Sequence, residues 1–178
     1  FTLSGVQARA LGGDVRLEGG MRALPTGAPP SDAPLQLRAQ GTASAEGLRQ
    51  APELGLLAQL ARKATGSAPY TFQFALRRGV PELQVSSSLQ GLALALPAPL
   101  GKPADSAMPV RFENQLTRES LVPGAVAART APLQDRLALE MGGVGAVSYV
   151  RDLAGTSPRV LRGAIAMGLA PEESAPMP

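Results

Sequence analysis

The chain of 178 residues contains no cysteine and no histidine. The absence of cysteine excludes disulfide bonds and thiolate metal sites. The absence of histidine removes the side chain that proteins use most often as a general base or as a metal ligand. Serines are plentiful, but no histidine is present to activate one, and the sequence around Lys63 and Lys102 lacks the spacing of Ser–Lys chemistry. We therefore predict a protein that is not an enzyme and that binds no cofactor or metal ion.

Aromatic residues are also scarce, at 3% of the chain, so aliphatic side chains must supply the apolar surface. The longest apolar stretches, residues 92–100 and 164–170, are too short to span a bilayer, which takes about 20 residues. The chain begins at Phe1 within what already has the pattern of a strand. We expect it to be an interior segment of a longer protein.

The positive charge is small and scattered. Seventeen basic and fourteen acidic residues give a net charge of +3, and the only basic doublets are Arg62–Lys63 and Arg77–Arg78. A nucleic-acid surface needs a clustered basic stripe, usually with aromatic side chains for stacking. We predict no nucleic-acid partner. A basic rim that faces anionic lipid headgroups is compatible with the count, and so is an ordinary solvated surface.

Glycine and proline are abundant, at 20 and 17 residues, which favours short strands joined by turns. Tyr70, Phe72, Phe74 and Leu76 alternate with small or polar residues and give the clearest strand. Residues 69–78 and 81–90 are predicted to pair as a hairpin around Gly79. Similar runs elsewhere bring the total to nine or ten strands, mostly antiparallel. The segments 25–34 and 119–132 are predicted to be loops.

One helical segment is predicted at residues 44–64. Ser44 can cap its first turn, and Pro52 suits an early helical position. Gly66 is the expected stop. A stripe of apolar residues is expected to pack on the sheet or to plug one end of the core, with a partner-binding or membrane-binding helix as the alternative; its members are Leu54, Leu57, Leu60, Ala61 and Ala64.

The most informative stretch is residues 83–103, where the apolar alternation changes phase. Leu83 and Val85 share one parity, and after Gly91 the apolar residues switch to the other parity at Leu92 and Leu94. Successive side chains of a strand point to opposite faces, so the switch predicts a bulge or bend that keeps the apolar side on one face. Several prolines from residue 97 onward then end regular pairing.

The run S-x-L-x-G-L-x-L-x-L-P-x-P-L-x-K-P, from Ser87 to Pro103, resembles a segment of the YhdP family. These are very large AsmA-like bacterial envelope proteins, related to TamB and to bridge-like lipid transfer proteins. The resemblance continues in GTASAEGLRQ, SAPYTFQFALRRGVPELQV, MPVRFENQLTRES and SYVRDLAG…PRVLRGAIAMGL, and so covers most of the chain. It implies a periplasmic protein anchored in the inner membrane, which moves phospholipid towards the outer membrane along a hydrophobic groove.

We therefore predict a mainly β protein with a strongly curved antiparallel sheet, shaped as a U or β-taco groove. Residues 1–170 form one domain, and 171–178 form a frayed tail or linker. The expected partners are phospholipid acyl chains, neighbouring segments of the same long chain and other envelope proteins. The residues predicted to line the groove are Phe72, Phe74, Leu83, Val85, Leu89, Leu92, Leu94, Leu96, Val110, Phe112, Leu116, Leu137, Leu139, Met141, Ile165 and Met167.

Three alternatives stay open. The apolar residues that share one face of each strand can line an open groove or fill a closed core. The domain can serve as an interaction or chaperone module, which takes up strands of outer-membrane proteins at its sheet edge. It can also be an inert structural domain.

Other polar features are interpreted as structural. The GGVG sequence at 142–145 lacks phosphate-loop spacing and is predicted to be a hairpin turn. Asp135 and Glu140 are expected to form surface pairs with Arg136 or Arg151, and Glu172–Glu173 to be solvated. Lys102, between Gly101 and Pro103, is interpreted as a solvated turn residue, with a lipid phosphate as its alternative partner.

Overall fold

The computed structural model describes residues 2–21, 35–77, 80–121 and 132–168, and within them ten strands and two short α-helices. The strands are β1 (Thr2–Ala10), β2 (Gly13–Met21), β3 (Leu35–Ser44), β4 (Ala64–Arg77), β5 (Val80–Ser87), β6 (Leu92–Leu94), β7 (Val110–Leu116), β8 (Gln134–Met141), β9 (Gly145–Asp152) and β10 (Arg159–Met167). The helices, α1 (Ala45–Arg49) and α2 (Leu56–Leu60), lie between β3 and β4. The predicted loop at 25–34 and the tail at 171–178 lie outside the described residues.

The strands form one antiparallel sheet in the order β1-β2-β3-β4-β5-β7-β8-β9-β10, with β6 paired to the start of β4. Every consecutive pair in this order is antiparallel, so the chain meanders from one edge to the other. The sheet is open, because β1 and β10 each have one neighbour among the described strands. The predicted fold class, a mainly β protein with a curved antiparallel sheet and one short helical segment, is confirmed.

The predicted hairpins form where the sequence placed them. β4 and β5 pair from Tyr70 opposite Ser87 to Arg77 opposite Val80. The GGVG sequence makes the turn between β8 and β9, as predicted. Between β1 and β2, Leu11 and Gly12 both have positive φ, at 53° and 78°. Positive φ at both central positions is the geometry of a type I′ turn, whose twist matches that of the flanking strands.

The phase change at Gly91 is a one-residue insertion, as predicted. Tyr70 of β4 lies opposite Ser87, whereas Gly66, four residues earlier, lies opposite Leu92, five residues later. The chain from β5 to β6 therefore contains one more residue than the strand it follows, which is the definition of a bulge. Because of this insertion, Leu92 and Leu94 stay on the same side of β4 as its apolar residues.

The helical segment differs from the prediction in its continuity. Ser44 caps α1, and its hydroxyl accepts a hydrogen bond from the Gly47 N–H at 3.0 Å. Gly55, with φ of 54°, then interrupts the helix between a 3₁₀ turn that starts at Pro52 and α2. Helical structure ends at Lys63 in a second 3₁₀ turn, so the expected stop at Gly66 is wrong: Gly66 lies inside β4.

The expected apolar stripe is confirmed only for Ala61 and Ala64, which are buried; its three leucines are not, because the break at Gly55 resets the helical phase. Leu57 is 58% exposed, and Leu60 is also exposed. The described buried residues of the segment are all small: Ala45, Gly47, Ala51, Ala58, Ala61 and Ala64. Ala45 packs with Ala64, Ala68 and Leu92 in a small core, with Leu89 and Leu94 against it. This cap, formed by residues 45–63 and 88–108, covers the end of the sheet where β3 stops and β4 begins.

The cap can approach the sheet closely because Gly47 has no side chain. A methyl group at Gly47 would lie 2.0 Å from the carbonyl carbon of Leu11, in the β1–β2 turn. We expect Gly47→Ala to lower the free energy of unfolding by about 2–3 kcal/mol, because the added methyl overpacks a backbone contact. Gly155→Ala is the matched control, since its nearest neighbour would be 3.6 Å away. Urea denaturation checks both variants, and equal effects would contradict the close approach.

Candidate functional site

A continuous row of apolar side chains crosses the whole sheet at mid-strand. Residues directly opposite each other in an antiparallel pair share a face, so the strand registers define this row without reference to side-chain rotamers. From β1 to β10 its members are Val6, Leu17, Ala39, Phe72, Val85, Phe112, Leu139, Val147 and Ile165. Nine strands thus each contribute one apolar residue, and no polar residue interrupts the row.

Rows on either side belong to the same surface, called here the apolar face. One row contains Leu3, Gly19, Leu37, Phe74, Leu83, Asn114, Leu137, Tyr149 and Gly163. On the other side, Ala8, Val15, Gly41, Tyr70, Ser87, Val110, Met141, Gly145 and Met167 follow one another. The opposite face is polar: its middle row contains Arg16, Gln40, Thr71, Ser86, Arg111 and Glu140.

The large side chains of the apolar face are half-buried. Phe72, Phe74 and Phe112 all fall in this intermediate range, as do Leu83, Val85, Leu137 and Leu139. In a closed β-sandwich such residues interdigitate with a second layer and are fully buried. Among the described residues, the largest that are fully buried are Asp135 and Ser120. Eight of the fourteen buried apolar residues are alanines, and in the three rows of the apolar face only Val15 and Ala39 are among the fourteen, with Leu116 beyond these rows on β7. The apolar face therefore lacks the full burial of a closed core.

Most residues predicted to line the groove lie together on this face. Twelve of the sixteen belong to its rows or continue them along the same strands: Phe72, Phe74, Leu83, Val85, Val110, Phe112, Leu116, Leu137, Leu139, Met141, Ile165 and Met167. The other four, Leu89, Leu92, Leu94 and Leu96, lie in or next to the cap. Leu92 is 4% exposed in the small core, where it contacts alanines.

Sequence reasoning missed part of the face. Leu17, Leu37, Ala39, Val147 and Tyr149 belong to the same rows. Each lies in an alternating run that predicts a strand, so the signal was present. What the sequence does not give is the register between strands, which decides whether two alternating runs present their apolar residues to the same face.

The apolar face carries one buried ion pair. Asp135 of β8 and Arg151 of β9 lie opposite each other, and Leu116 of β7 precedes them in the same row. The Arg151 guanidinium donates from Nε to Oδ1 at 3.0 Å and from Nη2 to Oδ2 at 2.5 Å. These hydrogen bonds raise the pKa of Arg151 above its ordinary value. Asp135 is 1% exposed, so the expected surface pair exists but is buried.

The rows of the apolar face also contain an amide side chain. Asn114 of β7 stands between Leu83 and Leu137 in its row, and its Oδ1 is buried without a hydrogen-bond partner in the described part of the chain. Burial also raises the pKa of the Tyr70 hydroxyl, near the cap, in keeping with the low polarity of this face. The polar groups of the apolar face are thus few, and the charged ones neutralise each other.

Removing one partner of the buried pair should be far worse than replacing both. Asp135→Ala removes both hydrogen bonds to the Arg151 guanidinium and leaves a partly exposed charge without its partner, and we expect a loss of about 1–3 kcal/mol in the free energy of unfolding. The double variant Asp135→Leu/Arg151→Met should recover most of that loss, because no charge stays buried. Guanidinium denaturation of both proteins checks this. A double variant as unstable as the single one would show that the pair is required for another reason.

The prediction for Lys102, a solvated turn residue, is wrong. Its side chain is buried at 8% exposure, not solvated. The ammonium group donates to the carbonyl oxygens of Leu89 and Pro103, each at 2.9 Å, and to that of Leu92. An ammonium has three N–H donors, and all three are used within the cap. Neither the solvated turn nor a direct phosphate contact fits this geometry, because the group has no donor left.

The role of Lys102 is to hold the cap closed. We expect Lys102→Met to lower the free energy of unfolding by about 2–4 kcal/mol, because three carbonyl groups lose a charged donor. Lys63→Met is the control, since Lys63 is exposed. Thermal unfolding followed by circular dichroism compares the two. Equal stability of the two variants would contradict the structural role.

The polar face has concave surfaces in the described part of the chain. The larger concavity crosses β3, β4, β5 and β7, with Gln40, Thr71, Ser86 and Arg111 in its lining. Thr71 and Ser86 share a hydrogen bond of 2.6 Å, and Arg111 pairs with Glu113. Thr71 and Ser86 thus satisfy each other across two strands, as exposed pairs of a sheet commonly do, and Arg111 and Glu113 do so along β7.

Two further observations concern the described ranges alone. They contain no cluster of three or more acidic side chains that could hold a metal ion. None of their helices has the length and apolar character to cross a membrane.

Comparison with known proteins adds no relative: no family model, no curated protein and no solved structure matches the chain.

Proposed function

We propose that this chain is a segment of a phospholipid conduit that binds acyl chains along its apolar face. The observation that carries the proposal is the uninterrupted apolar row across nine strands, whose large side chains are only half-buried. A soluble protein seldom leaves a contiguous apolar surface of this extent without a partner. A flexible hydrocarbon chain is a suitable partner, because the row offers aliphatic and phenyl contacts and no directional polar group.

The dimensions of the row suit an acyl chain. Neighbouring strands lie about 4.8 Å apart, so eight intervals between nine strands give a path of roughly 38 Å. The hydrocarbon core of a bilayer is about 30 Å thick and contains two leaflets, so one acyl tail extends about 15 Å. The path therefore exceeds the length of a single tail. Each methylene transferred from water onto such a surface contributes about 0.8 kcal/mol when fully buried.

Both ends of the strands are occupied, so a lipid tail on the apolar face would run perpendicular to the strands. The cap closes the region where β3 ends and β4 begins, and the Asp135–Arg151 pair occupies the opposite end of β8 and β9. Between these ends, the middle row runs from β1, at one open edge of the sheet, to β10, at the other. A lipid tail on this row would travel from strand to strand, with its headgroup outside the face.

The cellular setting is part of the proposal and rests on the resemblance to the YhdP family. In that setting the parent protein is anchored in the inner membrane and extends through the periplasm. Neighbouring segments of the same long polypeptide would continue the apolar face on either side. Transport would need no cofactor from this segment, because the face provides a path and not a source of energy.

Two variants of adjacent residues test the proposal. Phe72→Glu places a carboxylate in the middle row between Ala39 and Val85, whereas Gln73→Glu places the same group on the polar face between Arg38 and Gln84. We expect Phe72→Glu to weaken binding of a fluorescent phospholipid at least tenfold, about 1.4 kcal/mol, because the charge must be desolvated. Gln73→Glu should bind as the unmodified protein does.

Circular dichroism and thermal unfolding establish that both variants are folded. A neutral pair, Phe112→Gln and Glu113→Gln, repeats the comparison with no added charge if Phe72→Glu is unstable. Equal lipid binding by the two members of each pair would contradict the proposal. Capture of an unfolded outer-membrane protein without any lipid would favour the chaperone alternative.

A further inference from the structure

The edge strand β10 is unusually exposed for an apolar strand. Of the eight large hydrophobic side chains that are exposed in the described residues, four belong to it. Ile165 is 73% exposed and Met167 is 67% exposed, although the residues of β8 and β9 in the same rows are half-buried. Val160 and Leu161, near the start of the strand, are the other two. Ile165 continues the middle apolar row, and its exposure arises because β10 has only one neighbour, β9, among the described strands.

Among the described strands, none pairs with the outer side of the β10 backbone. The N–H of Gly168 donates to the carbonyl of Val144 in the turn before β9, at 2.9 Å. Hydrogen-bonded and non-hydrogen-bonded pairs alternate along an antiparallel ladder. Continuing from Gly168, the pairs at Ala166 and Ala164 bond to β9, whereas Gly163, Ile165 and Met167 direct their N–H and C=O groups to the open edge.

The two edges of the sheet differ in their suitability for pairing. In β1 the register shifts between Leu3 and Val6, around Gly5 with φ of 61°, so the strand is interrupted near its middle. In β10 the shift lies between Val160 and Arg162, near the start, and leaves a regular run to Met167. Bulges, prolines and inward charges protect natural edge strands from pairing. The regular run of β10 has none of these.

We propose that β10 pairs with β10 of a second copy of this chain, about a two-fold axis that passes through Ile165 perpendicular to the sheet. Antiparallel self-pairing at this register places Ile165 opposite its own counterpart and Gly163 opposite Met167. These residues are the ones with outward backbone groups, so each such pair can exchange two hydrogen bonds. The axis keeps the apolar faces of both copies on the same side.

The side chains are compatible with this register. On the polar face, Ala164 meets Ala166, and Arg162 meets Gly168. Arg162 is the basic residue of the regular run, and since it lies opposite Gly168, no like charges meet there. The dimer would extend the middle apolar row without a break, from Val147 and Ile165 of one copy to the same residues of the other. The inference rests on the edge alone and does not need lipid binding. It assigns to a second copy the β10 edge at which the proposed conduit would place a neighbouring segment of the same polypeptide, so the two are alternative occupants of that edge.

The first test measures the mass of the lipid-free full chain by analytical ultracentrifugation over a range of concentrations. We expect a reversible shift from 18.2 kDa to twice that mass. Ile165→Pro should weaken dimerisation at least tenfold, because it removes an outward N–H that β9 does not use. Ile165→Thr keeps that N–H and should dimerise more strongly than the proline variant.

The second test uses the absence of native cysteine. Ile165→Cys should form a disulfide-linked dimer under mild oxidation, since the symmetric register brings the two positions together. Val160→Cys, on the same strand, and Val6→Cys, on the other edge, are exposed controls and should crosslink much less. A monomer at all concentrations, equal crosslinking at the three positions, or crosslinking only through Val6→Cys would overturn the proposal.

Discussion

The cross-strand register is the constraint on which the rest of this structure depends. Each strand alternates apolar and polar residues, but alternation alone does not make a surface, since a slip of one residue turns every side chain of a strand to the other face. From Val6 on β1 to Ile165 on β10, eight successive strand pairings place an apolar residue directly opposite another apolar residue. The extra residue between β5 and β6 belongs to the same constraint, because it keeps Leu92 on the correct side as the chain enters the cap.

The cap supplies the buried core that a single sheet lacks. It is made of small residues, and alanines pack where larger side chains would hold the helical segment away from β3 and β4. Its 88–108 portion is held by the Lys102 ammonium, which joins three backbone carbonyls. Stability is therefore concentrated at one end of the sheet and in the backbone ladders. The large apolar side chains contribute to the apolar face without being sealed inside it.

Alternation, glycine and proline predicted the strands, the hairpins and the phase change, because these depend on neighbouring residues. The same signals placed Phe72, Val85 and Phe112 on one face correctly. They failed where tertiary structure decides. Leu57 is exposed because Gly55 breaks the helix, and Lys102 is buried because carbonyls from three separate residues surround it. The Asp135–Arg151 pair was foreseen as a contact, but its burial depends on how the rows of three strands align.

The claim that the apolar face is a binding surface for hydrocarbon chains is tested most directly on the protein as it is purified. Native mass spectrometry of the 178-residue chain, with lipid extraction of the same sample, reports any molecule that stays bound. We expect adducts with the masses of phospholipids, which organic extraction removes. A protein with no adduct, which also gains none after incubation with phospholipid vesicles, would contradict the account.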